Sequence, residues 1–553
     1  MLAFLLLIPI GAWSSGPTRI LGRSEDKESI KCSVAGIVVK DPSGEPLKKA
    51  LIEIVSRDQD GVLYSTTSDV EGHFKIEDVA PGRYAIGVEK TGFIAVDRHG
   101  HEAHETAITL EAKQQLSGIL LKMSPAAVIR GRVVDEDGDP MPNVDVSVLH
   151  HGYTLGHQGL ESVRTTRTDD IGEYRMAGLI SGRYIIVATP PMEYSGSVVG
   201  SLKAESPSAP ENAYVTTYYP GTTDDKQAAS LETHAGDELN VDFTMIKSPT
   251  VHVRGTVKIN RTQEEKSVNS PGMVSLQQLV ARNVPKMADI AQDGSFEMSG
   301  VAPGSYVVHV NSGDDELLRQ QIEVGNSDVN LRLAPEPLTQ VQGQVRVEDG
   351  SRIDFSSLYV FVKSDEGIAL NGFSYGEQAE RVKSDGRFEL KNVPAGTYTV
   401  QVVGQTKALR DYYLKAAIAG GRDITGGWRI SGGPVSLDLV LSAKSGQVEG
   451  LVLDQKDKPA PGVTVVAVPS AEHRRQRFDH YYRSVTDQRG GFSLRGMVPD
   501  DYTVYAWESV EDGAYYDPDF IKKYEDAGKV VHVKENGRES LSVKAIPETL
   551  EEP

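Results

Sequence analysis

A five-residue pattern that recurs five times with unchanged spacing constrains this chain more than any other feature. The first copy is Gly72, Phe74, Val79, Gly82, Tyr84, and the second is Gly172, Tyr174, Leu179, Gly182, Tyr184. Then come Gly294, Phe296, Val301, Gly304, Tyr306 and Gly386, Phe388, Val393, Gly396, Tyr398. The last is Gly490, Phe492, Met497, Asp500, Tyr502, with Asp in place of the second glycine. An Asp-Gly type turn opening a hairpin, an aromatic strand, a second turn and a tyrosine strand account for the pattern. Repetition on this scale means that one small folding unit is used several times.

Each copy is preceded by an apolar-x-Gly-x-Val stretch: Val34-Gly36-Val38, Ile129-Gly131-Val133, Val253-Gly255-Val257, Val341-Gly343-Val345 and Val448-Gly450-Val452. Period-two alternation puts the glycine on the apolar face, where another backbone or ring can approach closely. Turn residues follow in most copies, as in Asp41-Pro42-Ser43-Gly44, although the third runs instead through 261–270. A β-branched strand comes next, for example over 50–55, 144–149 and 463–468, and a closing strand ends each unit, as over 117–123 and 435–441. The chain therefore reads as all-β, with five tandem Greek-key β-sandwich modules at 33–126, 127–249, 250–337, 338–445 and 446–553. Module two carries a long loop insertion over 190–235, and 514–528 is a short helix or loop over the last core. Units of about 100 residues each suffice for one sandwich core. Linkers of a few residues predict a semi-rigid rod.

The address is extracytoplasmic. Leu2 to Ile10 has the length of a signal-peptide core, with small residues after it, so 1–16 is expected to be a signal peptide and 17–32 a linker. No lysine or arginine precedes that run, which departs from the usual signal. No later run is long and apolar enough for a transmembrane helix, so no transmembrane segment is expected in the mature chain. Cys32 is the only cysteine, which excludes an intrachain disulfide and reads as a thiol at the edge of the first strand. A formal charge of -20 disfavours nucleic acid and anionic membrane surfaces as partners.

The Gly-x-Val strand, the turn after it and the Thr/Ser-Asp-x-x-Gly-x-Phe…Pro-Gly-x-Tyr block resemble the carboxypeptidase regulatory-like domain. That is a transthyretin-like (prealbumin-like) sandwich with a carbohydrate-binding-like fold. The order of decorations, such as TYYPGTTDDKQAA and VYAWESVEDGAYYDPDF, resembles acidobacterial multi-module proteins of this type. The resemblance implies the fold for 33–547 and brings no catalytic domain with it.

Catalytic chemistry is not expected. No Gly-x-Ser-x-Gly elbow or phosphate-binding loop occurs, and no catalytic residue or cofactor is assigned. His99, His101 and His104 are close enough to suggest a metal, but Glu105 stands where a second zinc-binding histidine would, and the stretch reads as a solvated loop with no metal. Two functions remain. The first is a non-catalytic binding and scaffold protein that stacks carbohydrate on loop aromatics, with Tyr218, Tyr219, Trp428 and Trp507 as candidates. Its partner would be a polysaccharide or another cell-envelope protein. The alternative is a purely structural adhesin or stalk, or an accessory to a peptidase or transporter acting in trans. For the tyrosine pairs, the competing reading is that one member lies in a core and the other shields a sheet edge.

Overall fold

The computed structural model describes residues 31–59, 61–97, 102–103, 106–154, 156–190, 212–258, 272–278, 285–312, 315–364, 369–370, 373–374, 377–404, 409, 411–475 and 477–548. The signal-peptide stretch 1–16, most of the 17–32 linker, His99, His101 and His104 lie outside the described residues.

Each repeat aromatic lies directly across an antiparallel ladder from the first-strand glycine: Phe74 from Gly36, Tyr174 from Gly131, Phe296 from Gly255, Phe388 from Gly343, Phe492 from Gly450. The glycine is obligatory there. A Cβ at Gly131 would stand 1.9 Å from the Val241 carbonyl oxygen, and at Gly450 2.0 Å from that of Leu541. Those carbonyls belong to the closing stretch of the same unit, whose strands run parallel to the first strand on its other side.

In the first sandwich one sheet therefore runs His73–Val79, Cys32–Lys40, Gln115–Pro125, Phe93–Val96, and the other Leu63–Thr67, Leu51–Ser56, Gly82–Glu89, Thr106–Leu110. In the second, Glu173–Leu179, Ala127–Val134 and Glu238–Asn240 form one sheet; His157–Arg167, Asp145–Thr154 and Gly182–Thr189 begin the other. The third, fourth and fifth repeat this order, and five separate apolar clusters fill the sandwiches.

This corrects one expectation. The Asp-x-x-Gly turn does not open a hairpin, because Leu63–Thr67 before it and His73–Val79 after it lie in different sheets. The turn is a sheet switch, closed by Asp69 Oδ1, which accepts the N–H groups of Glu71 and His73, and by Gly72 at φ +78°. The Pro-Gly corner switches sheets again, and its tyrosine clamps it. The hydroxyl of Tyr84 donates to Ala80 O at 2.7 Å, Tyr184 to Ile180 O, Tyr306 to Ala302 O, Tyr398 to Pro394 O and Tyr502 to Val498 O. Burial raises the phenol pKa of Tyr84, Tyr306 and Tyr502, that of Tyr306 to about 12. Asp500 replaces the corner glycine without strain, since Gly182 and Gly396 at that position are not left-handed either.

A buried hydroxyl locks three of the units. Thr168 Oγ1 accepts from Val144 N and donates to Met141 O; Ser68 and Thr486 do the same for Ala50 and Leu47, and for Val463 and Ala460. The third and fourth sandwiches place buried Ile290 and Val382 there instead.

The chain divides into two compact units. One comprises Met1–Pro125, Gly446–Val510 and Asp519–Pro553, and so contains the first and fifth sandwiches. Within it, Thr109 N donates to Gln488 Oε1 at 3.0 Å while Gln488 Nε2 donates to Thr109 O at 2.7 Å. The side-chain amide thus takes the place of a neighbouring strand on the edge Thr106–Leu110, and Arg489 pairs with Glu111 beside it. A rod of consecutive modules does not describe this unit: sandwiches from opposite ends of the sequence are in contact. The other unit comprises Ala126–Ser445 and Glu511–Pro518. Over 514–528 the chain forms a short helix Pro518–Lys522 flanked by 3-10 turns, with Ile521 buried. Among the described residues, no helix is long and apolar enough to cross a membrane.

Candidate functional site

Three of the four aromatic candidates are core residues. Tyr218 is 3% exposed, Trp428 6% and Trp507 1%, so none presents an open ring face to a sugar. Tyr218 packs with Leu149, Ile185 and Val187. Trp428 belongs to the core of the fourth sandwich. Trp507 stacks on Tyr505 at 5.2 Å, with the edge of Tyr524 at 5.9 Å. Tyr219 is half-buried and sets its ring edge-on to Phe243 at 6.0 Å. Tyr218, Trp428 and Trp507 therefore lack the open face that sugar stacking needs, because burying them in hydrocarbon gains more than an exposed platform would. In the other pairs, Tyr413, Tyr481 and Tyr515 are buried beside half-buried Tyr412, Tyr482 and Tyr516. Cys32 is buried in the first strand, and its thiol donates to Glu111 O at 3.0 Å.

Charged clusters fall into two kinds. Some are neutralised internally. Glu316 pairs with His309 Nδ1 at 2.7 Å and Arg319 Nη2 at 2.9 Å. Burial alone would raise its pKa, yet these partners hold it below the ordinary carboxylate value. In the fifth sandwich Arg477 pairs with Asp479, and burial lowers the pKa of neighbouring His480 despite that carboxylate. Among the described residues, no group of three or more His, Cys, Asp or Glu side chains is placed to hold a metal ion.

The outer face of the second sandwich is different. Strand alternation that buries Ile129 and Val133 turns Arg130 and Arg132 outward, and Arg175 lies directly across the ladder from Arg130. Together with Arg167 they line a cleft of about 550 Å³ whose other walls include Asp169, Glu173, Asn240 and Asp242. Arg130 reaches Glu238 at 3.2 Å, and Arg167 is held by Asp145, which raises its pKa. Among the described residues, the Arg132 guanidinium uses only Nε, donating to Ile171 O at 3.0 Å. Arg175 has no hydrogen-bond or ion-pair partner among the described residues. Asp242 is engaged by the Arg132 N–H and by Asn240 Nδ2, and Asp169 by the N–H groups of its own turn. The sequence reading passed over this face. Its signal was available, since Arg175 occupies the repeat position held by Glu297 in the third copy.

The matching family model is the carboxypeptidase regulatory-like domain, at residues 33–119 and 128–246. These two segments are carboxypeptidase regulatory-like domains in tandem. The arginine cleft lies within the second of these regulatory-like domains, on strands that its defining repeat creates. Colossin-A from Dictyostelium discoideum is 23% identical over 290 residues, which is 48% of this chain and 2% of that much longer protein. Among solved structures, the minor pilin GBS52 of Streptococcus agalactiae matches at 14% identity and TM-score 0.20, over 42% of this chain and 100% of that one. The two B repeat units of the collagen binding protein of Staphylococcus aureus match at 12% identity and TM-score 0.13, over 75% of this chain and 100% of theirs. At such scores the fold is read from the strand pairing itself.

Proposed function

We propose that this chain is a non-catalytic, extracytoplasmic binding and scaffold protein of five sandwich modules, divided at 126, 249, 337 and 445, whose partner is a polysaccharide. The observation that carries this reading is where the repeated residues go. In all five copies the glycines, aromatics and tyrosines make turns, core and clamps, so recognition is left to surfaces that differ between copies. Carboxylates paired as tightly as Glu316 have no free role in acid or base chemistry. The burial of Trp428 and Trp507 favours a second reading, a purely structural stalk without a ligand. Affinity electrophoresis of the full chain through gels containing neutral or acidic polysaccharides separates the two. Retardation in at least one gel supports binding; unretarded migration in all of them sinks it and leaves the stalk.

A further inference from the structure

We infer that the arginine cleft on the outer face of the second sandwich binds a carboxylated sugar, a uronate unit of an acidic polysaccharide. The inference rests on the polysaccharide reading above and names its site and ligand chemistry.

Three observations carry it. The first is an unfavourable arrangement that is only half relieved: Arg130 and Arg175 face each other directly across the ladder, like charges so placed destabilise a sheet, and Glu238 pairs with Arg130 alone. In the third sandwich the same pair of positions is Arg254 and Glu297, in register and bonded at 2.8 Å. An anion seated between Arg130 and Arg175 supplies the charge that Glu297 supplies in the third copy. The second observation is spare donor capacity. Arg175 is unpartnered among the described residues, and the terminal nitrogens of Arg132 are unused, so planar forks suited to bidentate carboxylate recognition point into a cleft.

The third is the mixture of walls. Among the described residues, the Glu173 carboxylate has no hydrogen-bond partner, and Asn240 gives only its Nδ2, to Asp242. Acceptors beside guanidinium donors match a ligand that carries hydroxyls as well as a negative charge. A polyphosphate packs its charge more densely than a polyuronate and brings no hydroxyls along its chain, so it would meet more repulsion from the three carboxylates of the cleft and donate no hydrogen bond to them. A cleft of about 550 Å³ has room for more than one sugar ring.

The test is calorimetric titration of the full chain with tri-galacturonate, its methyl ester, neutral maltotriose and oligo-glutamate. The expected result is binding of tri-galacturonate that weakens with salt and is lost on esterification. Arg175→Gln and Arg132→Gln should each weaken it about tenfold to a hundredfold, the worth of a charge-assisted bond, and Arg254→Gln should leave it unchanged. These arginines are outward-facing, so folding survives their replacement, checked by an unaltered circular dichroism spectrum. Equal binding of acid and ester, or affinity indifferent to both substitutions, overturns the site. If oligo-glutamate binds through Arg175 and tri-galacturonate does not, the cleft takes an acidic peptide and the inference fails. Binding of maltotriose alone would overturn the site while leaving the polysaccharide reading intact; silence from every sugar, with unretarded electrophoresis, removes both.

Discussion

The outer faces of the second and third sandwiches are built on the same ladder and end in opposite electrostatics. In both, an arginine precedes the first-strand glycine, and the residue after the repeat aromatic lies across from it. In the third, that residue is Glu297, whose carboxyl the Arg254 guanidinium holds below its ordinary value, and the face is closed to further partners. In the second it is Arg175, and the face stays open. A single residue type at one register position thus separates a self-satisfied surface from one with donors to spare, while the backbone beneath is common to both. Specific surfaces on a repeated scaffold arise cheaply in this way, because outward positions contribute little to the core.

The common floor is where the largest effect is expected. Gly131→Ala should cost the second sandwich about 3 kcal/mol or more, since the added carbon meets a backbone oxygen that cannot move aside. Gly255→Ala should cost the third less, its nearest oxygen being 2.5 Å away. Urea unfolding followed by hydrogen exchange in each segment measures both, and an unchanged Gly131→Ala protein would mean the two faces do not share a floor.

Next comes the hydroxyl lock, present in the second sandwich and absent from the third. Thr168→Val should cost about 1–3 kcal/mol by stranding Val144 N and Met141 O. Ile290→Val in the third should cost about 1 kcal/mol. Equal losses in thermal melts would remove the distinction.

Smaller still is the exchange of charges. Arg175→Glu should convert the second face to the pattern of the third and raise its stability by less than about 1 kcal/mol. Glu297→Arg should move the third in the other direction. Like-signed melting shifts would show that the cross-strand charges do not set the contrast.

The smallest expected effect is in acid. Glu297 has a depressed folded pKa, so its contribution is present above its unfolded value of 4.5 and is lost as pH falls below it towards the folded one. A double-mutant cycle on Arg254 and Glu297 should give favourable coupling at neutral pH and none in strong acid. The Arg130 and Arg175 cycle should show no favourable coupling at either pH. Coupling between Arg254 and Glu297 that persists in acid would break the comparison.

Much of this was legible in the chain. Spacing and alternation located Phe74, Val79 and Tyr84 in a core, and the glycine of each first strand was read as a point of close approach, where Phe74 and the Ile119 carbonyl indeed meet Gly36. The candidate site was not legible in the same way. Tyr218, Trp428 and Trp507 were singled out for their chemistry, but an aromatic in a loop-like stretch has the same letter whether it faces water or a core. The arginine cleft went unnoticed because its members, 130, 132, 167 and 175, are charged residues at ordinary surface positions of separate strands. Their meaning depends on which of them face each other and which find a partner.

Local rules act over a few residues, so the sequence alone determined the repeated strands, the turns with their Asp and Gly requirements, and the inward-facing set of each strand. Tertiary structure decided what lies beyond that range. It put the closing strand parallel to the first, made the Asp-x-x-Gly turn a switch between sheets, and set Gln488 on the edge at Thr109. It also brought Arg175 across from Arg130. Pairing partners are chosen by how two sheets close over one core, and alternation within a strand says which side faces in but not which strand lies alongside.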